Sequence, residues 1–250
     1  MRYFLEIAYQ GTAYHGWQIQ ANAHTVQEEI ENAFSLVMRQ PISLMGSGRT
    51  DTGVHAMQQF AHFDSDTELD TEHLHYRLNA ILPDDLAIRH IFPVKPEAHA
   101  RFDALSRSYI YRIHQQKNPF LRQLSYYFSP AVDLSSMNQA AAQLVAKGPC
   151  DYGSFSKARS SQPTHICTIK RAQWEYLSPD SLAFHITADR FLRGMVRALV
   201  GTLLEIGTGR LDPDDFAQII DSRNRSRAGR AVPPEGLYLS EIVYPEDIFL

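Results

Sequence analysis

The sequence predicts an α+β fold in two related halves, with a largely antiparallel central sheet, helices packed on one side and an open cleft on the other. Three observations predict it. Short segments alternate apolar and polar residues at the period of a strand. Between them lie segments with apolar residues at helical spacing. Their order up to residue 94 is strand–helix–strand–strand–helix–strand, and a similar series begins again after residue 105. That order is the ferredoxin-like (RRM-like) pattern. The two halves are expected at residues 1–105 and 106–250.

Residues 3–9 place Tyr3, Leu5, Ile7 and Tyr9 on one face of a strand and Phe4, Glu6 and Ala8 on the other. Thr25-Val26-Gln27-Glu28 has the form of a capping box, and Val26, Ile30, Ala33, Phe34 and Val37 follow at helical spacing. Strands are expected at 42–45 and 57–63. Leu74, Leu78, Ile81 and Leu82 mark a helix stopped by Pro83, and 86–94 reads as a strand. In the second half, 107–114 is a strand with Tyr109, Tyr111 and Ile113 on one side. Leu134, Met137, Ala141, Leu144 and Val145 define a helix. Residues 170–177 and 181–188 form a hairpin around Ser178-Pro179-Asp180. Leu192, Met195, Val196, Leu199, Val200 and Leu203 give the cleanest amphipathic helix of the chain. Asp212 is expected as an N-cap with Pro213 after it. Residues 237–244 close the fold as a strand, and 154–163 is a loop.

A chain of 250 residues with 44% hydrophobic and 21% charged residues is ordinary for a soluble globular protein. No apolar run approaches the ~20 residues of a membrane span, and the first residues alternate instead of forming a signal-peptide core. A cytoplasmic protein with no membrane partner is expected. Cys150 and Cys167 form no CxxC pair, and no HExxH or similar spacing appears among the histidines, so no metal is expected. The net charge of −4 is unevenly spread. Residues 64–85 hold seven acids against Arg77, whereas 190–230 hold eight arginines and five acids. Local clustering matters more to a polyanion than the total.

The densest chemistry lies in GSGRTDTGVHA, residues 46–56. A plain turn explains the glycines and tolerates an Asp, but not the length or the arginine two residues before the acid. A phosphate loop is a weak reading, because the third glycine of GxGxxG and a terminal GK[ST] are missing. Asp51-Thr52-Gly53 matches the aspartic-protease triplet. That chemistry needs two carboxylates sharing a proton, hence a dimer here. In the remaining reading Asp51 is a lone catalytic carboxylate. An ordinary aspartate is ionised at neutral pH and can serve as nucleophile or base.

Tyr109 and Tyr111, two apart on a strand, point to one side. They are either core residues or, on an open sheet face between Arg107 and Arg112, a platform for nucleobases. Arg190, Arg193 and Arg197 fall on one side of the predicted helix, as solvated charges or as fixed partners for a carboxylate. Arg223, Arg225, Arg227 and Arg230 form either a solvated loop or a phosphate contact.

Taken together these segments resemble the bacterial tRNA pseudouridine synthase A family. YQGTAYHGWQIQ (residues 9–20) is similar to that family's YDGTxFxGWQxQ, and GSGRTDTGVHA to its GxGRTDAGVHA. LNAILPDDLAI, AHAR, RSYIYRI, FLRGMVRALVG and PEGLYLSEIVYP resemble its later blocks in the same order. Gln10 stands where the family has Asp, and Thr52 where it has Ala; neither removes a proposed reacting group.

The resemblance implies isomerisation of uridine to pseudouridine on the 3′ side of the tRNA anticodon stem-loop (positions 38–40), without a cofactor, by a homodimer. It implies Asp51 as the catalytic carboxylate, Tyr109 as the active-site tyrosine and Arg197 as the arginine paired with the aspartate. Arg49 would bind or flip the nucleotide. Thr50, Gly53, His55, Arg101 and Tyr111 would complete the substrate-binding set. Two rivals stand beside this reading: a non-catalytic RNA-binding protein of two modules, which does not need Asp51, and a dimeric aspartic protease, which predicts a mostly β fold.

Overall fold

The structure is a computed structural model that describes residues 1–157 and 164–250. The loop expected over 154–163 lies mostly outside the described residues. In chain order the elements are β1 (Arg2–Tyr9), α1 (Val26–Met38), β2 (Met45–Gly46), β3 (His55–Asp64), α2 (Thr71–Asn79), β4 (Leu86–Val94), β5 (Ser106–His114), β6 (Tyr126–Tyr127), α3 (Leu134–Ala146), β7 (Pro149–Asp151), β8 (Ile166–Ser178), β9 (Ser181–Ala188), α4 (Met195–Gly207), α5 (Asp215–Asp221) and β10 (Leu237–Val243). The fold is mixed α+β with mostly antiparallel strand pairs. It divides into two compact units, Met1–Leu105 with Tyr238–Leu250, and Ser106–Leu237.

In the first unit β1 lies between β3 and β4, antiparallel to both. Two strands share the outer edge of β3. β2 pairs antiparallel with residues 61–62, and β10 pairs parallel with residues 55–56. Five side chains of β1, Tyr3, Phe4, Leu5, Ile7 and Tyr9, are buried, so both faces of this sheet are covered. On the helix side Tyr3 stacks on Phe63, which meets Phe34 of α1. On the other side Phe4 meets Tyr244 and Phe249, supplied by the C-terminal segment. The expected open face is therefore roofed by aromatics in this unit, because Phe4, Phe60 and Phe92 give it an apolar surface of its own.

In the second unit the sheet runs β5-β9-β8-β7, all antiparallel, with β6 added parallel to the end of β5. α4 is apolar nearly all round, and only Arg197 and Glu205 escape the buried class. It is a core helix more than an amphipathic surface one.

Each unit ties a helix to a strand in the same way. Asn79, the last residue of α2, donates to the Ile88 carbonyl and accepts from its N–H, both at 2.9 Å. Asn138 of α3 donates to the Trp174 carbonyl at 3.1 Å and accepts from its N–H at 2.8 Å. The amide takes the place of a neighbouring strand for one residue.

Several expected boundaries move, each for a local reason. The strand expected at 42–45 shrinks to Met45–Gly46, because α1 side chains take the Leu44 backbone groups. Glu31 accepts from its N–H and Gln27 donates to its carbonyl. The helix through Leu82 stops at Asn79, whose side chain is engaged with Ile88, and Ile81 is exposed. The helix expected from Leu192 begins at Met195 after Gly194, whose φ of +72° breaks it. Arg190 and Arg193 accordingly precede the helix and do not share a face with Arg197. Asp212 accepts from the Asp214 N–H in a turn, and α5 starts at Asp215. Among the described residues no helix is long and apolar enough to cross a membrane.

Replacing Asn79 or Asn138 by Ala is expected to lower stability by about 1–3 kcal/mol, since each leaves a strand N–H unpaired and removes a donor from the matching carbonyl, which at Ile88 keeps His75 as a partner. Urea unfolding measures this; a shift under about 0.5 kcal/mol for both would refute the clamp.

Candidate active site

Asp51 lies in the loop between β2 and β3, and nearly every neighbour of it is fixed. The segment after β1 cradles this loop. The Tyr9 hydroxyl is 2.8 Å from the Thr50 hydroxyl. The Trp17 N–H donates to the Thr50 carbonyl, and the Gly53 N–H to the Tyr14 carbonyl. The Gly11 N–H donates to Nδ1 of His55 at 3.1 Å. From the other side Gln59 accepts from the Ser47 hydroxyl and donates to the Gly48 carbonyl. The Val54 N–H closes a turn on the Asp51 carbonyl.

Two glycines make this approach possible. A Cβ on Gly11 would stand 1.9 Å from the Val54 carbonyl oxygen, and one on Gly16, whose φ is +91°, 2.4 Å from that of Thr50. These two glycines thus serve the close approach of one backbone to another. Gly48 differs: a Cβ there meets open space. Thr50 and His55 are buried, His55 with its ring stacked on Tyr238. Both therefore position the loop. Arg49 and Thr52 are exposed, and Asp51 and Gly53 are half-buried.

In the second unit Tyr109 is half-buried on β5, with Phe191 edge-on at 5.1 Å. Tyr111 is fully buried, and its hydroxyl donates to the Pro233 carbonyl at 2.8 Å. Burial, with Glu235 nearby, pushes its phenol well above the ordinary range. Tyr111, expected beside Tyr109 as a substrate contact, therefore has no surface to offer a base, whereas Tyr109 keeps part of its surface exposed.

Arg197 is half-buried and grips the segment before β10. Its Nε donates to the Val232 carbonyl at 2.6 Å, and its own carbonyl accepts from the Val232 N–H. Thr202, one turn on in α4, accepts from the Gly229 N–H. Arg197, Tyr126, Arg230, Val232 and Pro233 line a cavity of about 480 Å³. Of the arginine run, Arg225 folds back on the carbonyls of Ala228 and Gly229, and Arg223 lies near Asp151. Arg227 and Arg230 are exposed.

Arg101 is exposed in the first unit, its guanidinium over the Phe102 ring. His62 supports this segment from below, accepting from the Ala100 N–H at 3.1 Å. Among the described residues no group of three His, Cys, Asp or Glu side chains could hold a metal. Sequence reasoning assigned no role to Tyr9, Tyr14, Trp17 or Gln59, which hold the loop. The signal available was the Gly11–Gly16 pair inside an aromatic segment.

Burial, then the charges of Arg2 and His99, lowers the pKa of His62 to about 4. The unfolded ring takes up a proton near pH 6.5, whereas the folded ring stays neutral until about pH 4. Stability from this group is full above pH 6.5 and is lost as the pH falls toward 4. His62→Gln, which keeps an acceptor for Ala100, is expected to flatten the fall in urea midpoint between pH 7 and pH 4.5. An unchanged pH dependence would refute the assignment. Tyr111→Phe is expected to cost about 0.5–1.5 kcal/mol of stability, the worth of one hydrogen bond, by the same unfolding measurement.

The comparisons with known proteins cover most of the chain. A sequence profile described as tRNA pseudouridine synthase matches residues 7–103 and 140–245. A tRNA pseudouridine synthase A of Porphyromonas gingivalis is 48% identical over 252 residues, covering 100% of this chain and 99% of the relative. The protein of that name from Bacteroides fragilis is 46% identical over 99% of this chain and 98% of its own. That from Acetivibrio thermocellus is 41% identical over 96% and 98%. With its profile matched on both sides of the two-unit division and its relatives aligned end to end, the chain belongs to the tRNA pseudouridine synthase family.

Proposed function

We propose that this protein is an isomerase that converts uridine to pseudouridine in tRNA, in the anticodon stem-loop, with Asp51 as its catalytic carboxylate. The observation that carries the assignment of Asp51 is the loop around it. Thr50, Gly53, Val54 and His55 are each held by a hydrogen bond, so the carboxylate is presented from a rigid support. Such preorganisation is what a catalytic group needs.

The reaction breaks the C1′–N1 bond, turns the base over and joins C5 to C1′. A proton leaves C5 and one is gained at N1. Nothing is oxidised and no water is consumed, so the balance calls for no cofactor. The target nucleotide must leave the stack, at a cost of a few kcal/mol. Arg49, exposed two residues before Asp51, is assigned to that displaced state. Tyr109 is assigned to stacking on the base and to proton removal, and Arg197 to the charge of the aspartate. Gly53 and Arg101 are assigned to substrate contact, and Thr50, His55 and Tyr111 to support of the residues that make it.

We read both halves as ferredoxin-like, with the boundary near 105 kept and the expected second half, 106–250, shortened to 106–237 because the C-terminal residues pack in the first unit. The antiparallel order β4-β1-β3-β2, the β5-β9-β8 order and the repeated asparagine clamp support this. The working form is a cytoplasmic homodimer, tested by light scattering, with a monomer at working concentration as the refuting result.

Tritium release from unmodified tRNA carrying [5-³H]uridine tests the activity. Wild type is expected to release tritium. Asp51→Ala is expected to lose at least about 10²–10⁴-fold of the rate, the range of a positioned acid–base group, while still binding tRNA. Release by Asp51→Ala at the wild-type rate would remove Asp51 from the mechanism. Absence of release by wild type that binds tRNA would favour the non-catalytic RNA-binding reading.

A further inference from the structure

The turn that follows β5 presents the most exposed large apolar side chain of the described residues. Phe120 is 87% exposed. Single exposed apolar residues are common on proteins, but this one is built in. Asn118 accepts from the Phe120 N–H at 3.0 Å, the Leu121 N–H returns to the Asn118 carbonyl, and the Ser125 N–H to that of Leu121. β6 then anchors the returning chain on the end of β5, where Tyr127 stacks on His114 and remains half-exposed. Phe120 is thus held out by a hydrogen-bonded turn fixed at both ends.

Along the sequence the charge around it has one sign, while the Asp180 turn meets this stretch at Gln115, whose N–H donates to the Asp180 carbonyl. From residue 104 to residue 132 the chain holds no Asp or Glu but four cations, Arg107, Arg112, Lys117 and Arg122, although its net charge is −4. Lys117 and Arg122 flank Phe120 and are exposed. An aromatic ring between cations, on a rigid support without nearby acids in sequence, has the chemistry of a single-stranded nucleic-acid contact: stacking for a base, cations for the phosphates. A surface for a second copy of this acidic chain has no need of so one-sided a charge.

We propose that the Phe120 turn is a separate RNA-contact point, on which an unpaired nucleobase of the tRNA stacks while Lys117 and Arg122 meet its backbone. This rests on the tRNA-modifying reading above. His114 ends β5 five residues beyond Tyr109, about 17 Å along the strand at ~3.4 Å per residue. The base on Phe120 is therefore not the reacting one, and the turn contributes to binding and not to the chemical step.

The test is tRNA binding and tritium release with full-length protein. Phe120→Ala is expected to weaken the Kd for unmodified tRNA about 5- to 160-fold, the range of one base–aromatic stack. KM should rise alongside, kcat at saturating tRNA should stay put, and the salt slope should not change. Phe120→Trp should keep the affinity and show quenching of the new indole by tRNA. Lys117→Gln with Arg122→Gln should make the slope of log Kd against log salt shallower by about 1–2. Unchanged Kd in Phe120→Ala, with wild type binding and active, overturns this inference alone. So does a fall in particle mass on light scattering with affinity retained, which would make the turn a contact between copies. Wild type that binds no tRNA overturns the functional reading as well.

Discussion

The clasp between the segment after β1 and the Asp51 loop is the constraint on which the proposed site depends. Two irregular segments pack backbone to backbone, and irregular backbone carries polar groups that must be paired once buried. Here they pair with each other: Trp17 with Thr50, Gly53 with Tyr14, Gly11 with His55. The pairing requires contact distances that a Cβ on Gly11 or Gly16 forbids. Tyr14, between those glycines, and Trp17, directly after them, are both buried. A loop of glycines, threonines and a serine would otherwise be mobile; this one is held at almost every residue except those left outward, Arg49 and Thr52.

The second unit solves a related problem by different means. The segment before β10 contains Gly229, Pro233 and Pro234 and forms no regular element through Val232. It is bound from α4 by Arg197 and Thr202 and from β5 by the buried hydroxyl of Tyr111. Gly201 permits this, since a Cβ there would meet the Arg230 carbonyl at 1.9 Å. Arg197 uses Nε and its own carbonyl for structure. The planar guanidinium can make that bond and still present its terminal nitrogens in a fixed plane, which a lysine cannot do. An arginine is thereby suited to be both a structural tie and a binding group.

Charge and shape are likewise divided along the chain. Seven of the 28 acidic residues lie around α2 and none between residues 104 and 132, and the cations that matter to an RNA reading lie along β5, its following turn and the arginine run. A net charge of −4 is no obstacle to a segment that is locally cationic, because screening confines each charge to its surroundings.

Local patterns by themselves determined the α+β class, the order of the main strands and helices, and the capped start of α1, because these follow from local alternation and local hydrogen bonds. The motifs marked Asp51, Tyr109 and Arg197. Other features were decided only in three dimensions. β6 and β7 are too short to carry a period. Phe4 reads as one face of a strand, but that its face is roofed by Tyr244 and Phe249 depends on residues some 240 positions away. Tyr109 and Tyr111 are equivalent in sequence, and only the course of the Val232–Pro233 segment buries one and leaves the other accessible. His55 and Thr50 belong to the same motif as Asp51, yet their side chains turn inward to hold it. Sequence names the residues that share a segment; which of them faces inward is set by what packs against that segment, and those partners are far away along the chain.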